Sequence, residues 1–520
     1  MYYSKFKVFF IAVVILCYTI PVWATTYYVS PTGLSTASGS ITNPLTFSAA
    51  IAKSLTAGDS IIVRGGFYSF SSMQTISKSG SSTKLLQILA FPTEIPILDF
   101  RNQPYNSSNQ GVKLSGSYVH VKGLIIQGAG DNGMQVTGSN NIIENCTFRW
   151  NSDSGLQMKT GSSNLILNCD SYSNFDYQTG GTSAPDYGGN ADGFADKQYT
   201  NTGTNTYKGC RSWANSDDAW DSFEKIGNTV YDSCWSYANG PATYDMTDHI
   251  RFKTDSASWF YQFKNTAGRY VITNYGNGNG FKLGGNYTAN NTTLRNCVAV
   301  ADKVKGFDQN NNNGTMTLYN CTAYNNQYNY GFSNSSYGSL TIKNCASLNS
   351  QKSNSFNTKT VTQSNNSWNA GFSCVAADFV SLDYTQLLNN RNEDGSLPEI
   401  TFLHQVSSSG MIDKGLNLGS AFSGSAPDLG AFEYNPYAST FSPKYEKSPL
   451  AFYSALVGGL VMKEDIRTIY IYNVLGEKIL EASNLVANSI IPIADRHGSV
   501  VFVVFDQGLK QSHAQKILIK

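Results

Sequence analysis

The segment "NLILNC", residues 164–169, recurs in altered form along the chain, and this recurrence decides the fold. Related segments are "NIIENC" at 141–146, "TLRNC" at 293–297 and "SLTIKNC" at 339–345. Each combines a short run of β-type residues with a final Asn-Cys pair, and turn-forming Asn, Ser and Gly residues surround it. None of these segments has the apolar period of a helix. The chain is therefore predicted to be built from short strands.

Seven cysteines mark the repeats. They are Cys146, Cys169, Cys210, Cys234, Cys297, Cys321 and Cys345. The intervals between them are 23, 41, 24, 63, 24 and 24 residues, so the two long intervals are one unit plus an insertion. A period in the twenties predicts a solenoid, and leucine-rich repeats are excluded because leucines are missing from the required places. We predict an all-β, right-handed parallel β-helix with coils of about 23 residues.

Equivalent side chains of stacked coils form columns about 4.8 Å apart per coil. We expect the cysteines to form an internal column of small apolar residues, because their spacing follows the coil rather than a disulfide framework. Asparagine precedes five of them, and these asparagines are predicted to form an amide ladder at a turn: Asn145, Asn168, Asn296, Asn320 and Asn344.

The remainder of the chain divides around this solenoid. A charged start, a short apolar run and a small residue at Ala24 are typical of a secretory signal peptide, and the run is too short for a membrane span. The formal net charge of +1 argues against nucleic-acid binding. We expect a secreted monomer that works outside the cytoplasm. The predicted division is a signal peptide at 1–24, the β-helix at 25–435, a linker at 436–450 and a small β-sandwich-like domain at 451–520.

A second set of segments, each built around a small residue, runs in step with the cysteines. The set includes "ADGFADK" at 191–197, "SDDAWDSFE" at 216–224 and "GNGFKLGG" at 278–285. In this register, Asp192 and Asp218 hold the same place in consecutive coils. Asp221 and Lys282 become neighbours although 61 residues separate them. Both insertions enter just before these strands and are predicted to wall a cleft.

Four carboxylates converge in this register without a matching basic cluster: Asp192, Asp217, Asp218 and Asp221. Unpaired carboxylates held together are costly, and a hard cation with oxygen ligands offsets the cost. Calcium (Ca2+) is favoured because it accepts several carboxylates in irregular geometry. The chain must bend near Asp218 and Ala219, because a straight strand would hold Asp217 and Asp221 about 13 Å apart. The alternative is a set of solvated turn aspartates.

Lys282 is the candidate base of this cluster. A lysine with an ordinary pKa near 10.4 is a poor base at neutral pH. A nearby dication lowers that pKa and carboxylates raise it, so the cation must dominate if Lys282 is to accept a proton. The alternative is a lysine that only forms ion pairs with the aspartates. Lys197, Arg251 and Lys253 are further candidates, for contact with substrate carboxylates.

The three segments, on a Cys- and Asn-marked β-helix, resemble polysaccharide lyase family 9 over roughly residues 25–435. The resemblance implies calcium-dependent β-elimination on a galacturonate-containing pectic polysaccharide, either homogalacturonan or rhamnogalacturonan I. It also implies that the four aspartates bind calcium and that Lys282 is the catalytic base. The long insertion at about 239–275 departs from this pattern. The C-terminal tail resembles a shortened sorting domain of type IX secretion, which implies a Gram-negative bacterium and leaves both the periplasm and the cell surface open as the location.

Two other functions remain open on the sequence. A β-helix glycoside hydrolase would use paired carboxylates as acid and base, but it would give Lys282 no role. A carbohydrate-binding or adhesive β-helix without catalysis would explain the repeats, but not the convergence of acids and a lysine beside both insertions.

Overall fold

The computed structural model of the chain describes residues 24–178, 185–199, 203–247, 249–253 and 255–435, together with separate strands between 451 and 518. The predicted signal peptide, apart from Ala24, and the predicted linker lie outside the described residues. Within the described part, no helix has the length and apolar character needed to cross a membrane.

Three long parallel sheets run side by side along the solenoid, and most coils contribute one strand to each. The first sheet consists of Thr26–Val29, Ser60–Val63, Leu86–Ala90, Val119–Lys122, Ile142–Glu144, Leu165–Leu167, Thr204–Lys208, Gly227–Asp232, Asn290–Arg295, Thr315–Tyr319, Ser339–Lys343 and Thr360–Ser364. The second consists of Gln74–Ile76, Val112–Leu114, Met134–Val136, Leu156–Met158, Phe194–Asp196, Trp220–Asp221, Phe281–Lys282, Lys305–Asp308, Tyr328–Phe332 and Ser355–Phe356. The third consists of Gly66–Ser69, Pro96–Asp99, Ile125–Gln127, Thr147–Arg149, Asp170–Tyr172, Arg211–Trp213, Trp235–Tyr237, Val298–Val300, Thr322–Tyr324 and Ala346–Leu348.

The other elements are short. They are the α-helix Phe47–Ile51, the 3₁₀ helices Trp259–Phe263, Ala376–Asp378 and Tyr384–Leu388, and the antiparallel pair Thr243–Asp245 and Val271–Thr273 in the second insertion. The tail has two antiparallel sheets. One contains Ala451–Ser454, Gly459–Met462 and Ile490–Pro492, and the other contains Ile466–Tyr472, Lys478–Leu485, Val500–Asp506 and Ser512–Leu518.

An aromatic stack inside the second sheet fixes the register of successive coils. Its members are Phe194, Trp220, Phe281, Phe307 and Tyr330, all fully buried. Their ring centroids are 5.4, 4.6, 5.1 and 5.2 Å apart in that order, and each pair is nearly parallel. Each such pair contributes about 0.5–1.5 kcal/mol beyond the burial of its area. A slip of one residue would turn the whole stack outward, so the packing holds every coil in place.

The cysteine column is confirmed as part of the core. All seven cysteines are free thiols and buried, and they belong to the main apolar cluster of the solenoid. Six of the sulfurs, all except that of Cys321, lie near carbonyl oxygens of the preceding coil, as in the contact from Cys169 Sγ to the carbonyl of Ile143 at 3.4 Å. Cysteine is favoured there because it is small, apolar and able to donate weakly to those carbonyls.

The prediction that asparagines before the cysteines form the amide ladder is wrong. These residues adopt left-handed backbone angles, with φ between 51° and 58°. Asparagine tolerates that region better than most residues, and this accounts for the pattern. Within the described residues a single side-chain bond joins members of this column, from Asn344 Nδ2 to Asn320 Oδ1.

The ladder lies instead five residues after each cysteine, at the turn between the third and second sheets. Its members are Asn151, Asn174, Asn215, Asn239, Asp302 and Asn326. From Asn151 to Asp302, each Nδ2 donates to the Oδ1 of the next coil at 2.8–3.0 Å. A buried amide satisfies its donor and acceptor only when its neighbours repeat it, so the ladder stabilises the turn coil by coil.

One rung of this ladder is a carboxylic acid. Asp302 accepts hydrogen bonds from Asn239 Nδ2 at 2.9 Å and from Ser236 Oγ at 2.8 Å. Burial raises the pKa of Asp302 to about 7, although the hydrogen bonds from Asn239 and Ser236 oppose the shift. Because the unfolded chain loses this proton near pH 3.8, the folded chain binds more protons between pH 4 and 7. The contribution of Asp302 to the free energy of unfolding therefore falls as the pH rises through that window.

Replacing Asp302 by Asn should remove this cost, because Asn does not titrate and its Nδ2 can donate to Asn326 Oδ1 as in the other rungs. We expect the difference in Tm between Asp302→Asn and the wild type to grow from pH 4 to pH 7 and then to level off. The full gain corresponds to about 4 kcal/mol. Asn326→Asp, the reverse change one coil further on, is the control and should lower Tm over the same window. A pH-independent difference for Asp302→Asn would contradict the assignment.

Candidate functional site

The second sheet brings the predicted residues of three coils into register. Ala195 pairs with Asp221, Asp221 with Lys282, and Lys282 with Asp308. Asp221 and Lys282 are therefore neighbours, as predicted. Each is the second residue of a two-residue strand, and the first residue of that strand is the stacked ring Trp220 or Phe281.

Three of the aspartates lie on the turn that precedes these strands. Asp192, Asp217 and Asp218 follow the asparagine ladder, and the strand begins only at Trp220, so the chain bends where the sequence required it. Coils pack tightly at this turn: a Cβ on Gly193 would lie 1.9 Å from Ser212 Oγ. The backbone N–H of Gly193 donates to the carbonyl of Asp218 at 2.9 Å, which links the two coils.

Oxygens of three carboxylates converge. Asp192, Asp218 and Asp221 each offer one oxygen within 4.8 Å of the other two, and the three side chains are 0%, 0% and 2% exposed. Asp217 is also buried, but it lies outside this group of three and accepts a hydrogen bond from the N–H of Asn277 at 2.7 Å. The term carboxylate cluster is used below for these four aspartates.

Neutral donors hold the cluster in shape. Asp192 Oδ2 accepts from Ser154 Oγ at 3.1 Å, and Asp192 Oδ1 accepts from the N–H of Asp218 at 3.2 Å. Asp218 Oδ1 accepts from both the N–H and the Nδ2 of Asn279, each at 2.8 Å. Ser154 and Asn279 are functional-site residues that were not predicted from the sequence. Their signal was position, because both stand one place before the small residue, as Asp192 and Asp218 do in the coils between them.

Two lysines contact the cluster from different coils. Lys282 Nζ lies 2.9 Å from Asp218 Oδ2 and 3.3 Å from Asp221 Oδ1. Lys197 Nζ lies 2.8 Å from Asp221 Oδ2 and 3.4 Å from Asp192 Oδ2. Both side chains are largely buried, at 10% and 14% exposure. Asp308, in contrast, pairs with Lys305 at 2.8 Å rather than with Lys282.

Burial and charge act in opposite directions on these groups. Burial and the neighbouring carboxylates raise the pKa of Asp192, Asp217 and Asp218, while the pKa of Asp221 is lowered because its two lysine neighbours outweigh its burial. Burial disfavours charge on Lys197 and Lys282, but the carboxylates outweigh it and hold both pKa values well above their usual range. Without further positive charge, Lys282 is therefore a protonated ammonium.

The donor set fits a hard divalent cation. Four carboxylates and two ammonium groups leave a formal charge of −2 in a site that excludes water from most of its atoms. Asp218 Oδ2 is buried and has no hydrogen-bond donor among the described residues; the contact with Lys282 Nζ is an ion pair without hydrogen-bond geometry. Oxygen-only ligands, several of them carboxylates, are the set that calcium prefers.

The predicted substrate contacts separate into three environments. Lys197 contacts two aspartates of the carboxylate cluster. Lys253 is exposed on the second insertion. Arg251 is buried away from the cluster, and its guanidinium donates to the carbonyls of Gly128 and Gln103 at 2.5 and 2.6 Å and to Tyr177 Oη at 3.0 Å. The donors of Arg251 are thus used to attach the insertion to earlier coils, and this favours a structural role over the predicted substrate contact.

Known proteins share this arrangement of coils. A family model described as "Pel9A-like, right handed beta helix region" matches residues 27–366. Pectate lyase L of Dickeya chrysanthemi is 35% identical over 421 residues, covering 79% of this chain and 90% of its own length. Pectate lyase L of Dickeya dadantii (strain 3937) is 36% identical over 420 residues, with the same coverage of both chains.

Solved structures agree. The crystal structure of pectate lyase Pel9A superposes with a TM-score of 0.67 at 34% identity, covering 80% of this chain and 98% of that one. A rhamnogalacturonan lyase, with a TM-score of 0.61 and 23% identity over 74% of this chain and 97% of its own, shares the fold. Fold and relatives together define an enzyme of the polysaccharide lyase class. The chain belongs to the Pel9A-like right-handed β-helix family.

Arg251→Gln tests the structural role of that residue. We expect the variant to lose about 3 kcal/mol of stability, because buried carbonyls lose charged donors, while the KM for polysaccharide stays unchanged. Lys253→Gln is the matched control from the same insertion, and its Tm should equal that of the wild type. A raised KM with an unchanged Tm for Arg251→Gln would instead support contact with substrate. Thermal unfolding and steady-state kinetics supply both quantities.

Proposed function

We propose that this enzyme cleaves the galacturonate backbone of a pectic polysaccharide by β-elimination, with Lys282 as the base and with calcium bound by the carboxylate cluster. The observation that carries the proposal is the contact of Lys282 Nζ with both Asp218 and Asp221. It places one amine against the group of carboxylates best suited to a cation. The names of the relatives, pectate lyase L in two species of Dickeya, support galacturonate as the sugar.

Asp192, Asp217, Asp218 and Asp221 would hold the ion. When bound there, calcium supplies positive charge that acidifies the proton next to a uronate carboxylate and disfavours the ammonium form of nearby lysines. The added positive charge is needed because the carboxylates alone raise the pKa of Lys282 and keep it protonated. Asn279 and Ser154 keep Asp218 and Asp192 oriented through the hydrogen bonds described above.

Lys282 then performs the proton transfer. Its neutral Nζ takes the C5 proton of the uronate as general base. The electron pair of the C5–H bond forms the C4=C5 double bond, and the bond from C4 to the glycosidic oxygen breaks. The leaving oxygen takes a proton from solvent, and the products are a new hydroxyl end and a 4,5-unsaturated sugar. No water molecule is consumed.

The geometry does not suit the hydrolase alternative. Glycoside hydrolases separate two free carboxyl groups by about 5–5.5 Å or by 6.5–9.5 Å across the scissile bond. Here the converging carboxylates are not free, because each of them contacts Lys197 or Lys282. Secretion is also part of the proposal, and the apolar segment that ends near Ala24 supports it.

Lys282→Ala should abolish the ultraviolet absorbance of unsaturated products on polygalacturonate, because the variant lacks the proposed acceptor of the C5 proton. Lys305→Ala is the matched control, since Lys305 lies one coil further on and pairs with Asp308 instead of the cluster. The control should retain most of its activity. Circular dichroism shows whether both variants fold. Substantial activity of a folded Lys282→Ala variant would remove Lys282 as the base.

Removing divalent ions should stop turnover reversibly. We expect a chelator to abolish the absorbance change and added calcium to restore it. Asp218→Asn should require at least about tenfold more calcium, because it neutralises a ligand whose Oδ2 has no hydrogen-bond donor in the described part of the chain. Asp308→Asn, outside the cluster, serves as the control. Full activity after exhaustive chelation would contradict the metal assignment, and reducing ends without ultraviolet absorbance would indicate hydrolysis.

A further inference from the structure

Lys197 contacts the carboxylate cluster but has no role in the proposed elimination reaction. It follows the strand Phe194–Asp196, in the coil before Asp221, and its side chain is 14% exposed. Its Nζ lies between Asp221 Oδ2 at 2.8 Å and Asp192 Oδ2 at 3.4 Å. These aspartates are two of the three whose oxygens converge.

We propose that Lys197 is an internal counter-cation, which neutralises the cluster when no metal is bound and competes with calcium for Asp192 and Asp221. This inference rests on the metal site of the proposed function. Calcium bonds to oxygen at about 2.3–2.6 Å, so an ion held by both Asp192 and Asp221 would need the space that the ammonium fills. Such an ion would displace the ammonium from these two aspartates.

The charge balance gives the exchange its direction. Buried carboxylates without partners are strongly destabilising, so the ion-free protein gains stability from Lys197. The same positive charge repels a dication that approaches Asp192 and Asp221. Lys282 differs from Lys197 in its contacts, because it bridges Asp218 and Asp221 and leaves Asp192 to Lys197 alone. Loss of Lys197 should thus lower the stability of the ion-free protein and raise its affinity for calcium.

Lys197→Gln provides two readouts that do not depend on catalysis. Isothermal titration of calcium chloride into the chelator-treated full chain should show binding at least about tenfold tighter than in the wild type. Thermal unfolding in the presence of chelator should give a lower Tm for the variant. Lys305→Gln is the matched control, and both of its values should equal those of the wild type. Equal or weaker calcium binding by Lys197→Gln would overturn the proposal, as would an unchanged Tm in chelator.

Wild-type crystals grown with and without calcium test the exchange if the variant does not fold. Lys197 Nζ should contact Asp192 and Asp221 in the ion-free crystals and lie beyond 4 Å from both with calcium bound. Both contacts persisting beside a bound ion would overturn the proposal. If wild-type protein takes up no calcium, the metal site of the proposed function fails and this inference fails with it. If wild-type protein binds calcium and the variant binds no better, only the competition is refuted.

Discussion

Parallel pairing of consecutive coils in a single register is the constraint on which the rest of this structure depends. It is enforced from inside by the stacked rings of Trp220 and Phe281, whose centroids are 4.6 Å apart, and by the ladder of amides at the preceding turn. Side chains alternate between the two faces of a strand, so a ring that points into the solenoid makes the next residue of the chain point outward. Asp221 and Lys282 follow those two rings, and they are neighbours for this reason.

The same packing makes the site electrostatically demanding. Coils that stack one above another bring Asp192 and Asp218 together in water-poor surroundings, where unpaired carboxylates are unfavourable. The structure offsets this by three means: the donors of Ser154 and Asn279, the ammonium groups of Lys197 and Lys282, and a geometry suited to a divalent ion. A lysine in such a place is strongly protonated. The proposed use of this lysine as a base therefore depends on added positive charge, so the proposed metal binding and the proposed proton transfer are electrostatically coupled.

The second insertion is attached to this system. Asn277, just after that insertion, donates its backbone N–H to Asp217, so the insertion is linked directly to the carboxylate cluster. Arg251 attaches the same insertion to earlier coils through buried carbonyls. Arg251 and Lys253 carry the same charge in this insertion, but only Arg251 is buried against earlier coils, so charge alone does not identify the anchoring residue.

The sequence by itself determined the solenoid, the free cysteine column and the neighbours Asp221 and Lys282, because a fixed period translates distance along the chain into stacking in space. It did not determine which asparagine column forms the ladder. The residue before each cysteine and the fifth residue after it both repeat, and only the folded backbone shows that the first adopts a left-handed turn while the second points inward. The tertiary structure also decided the partners of Lys197 and Arg251. The direction of a long side chain is set by its packing, and the spacing of residues in the sequence does not predict it.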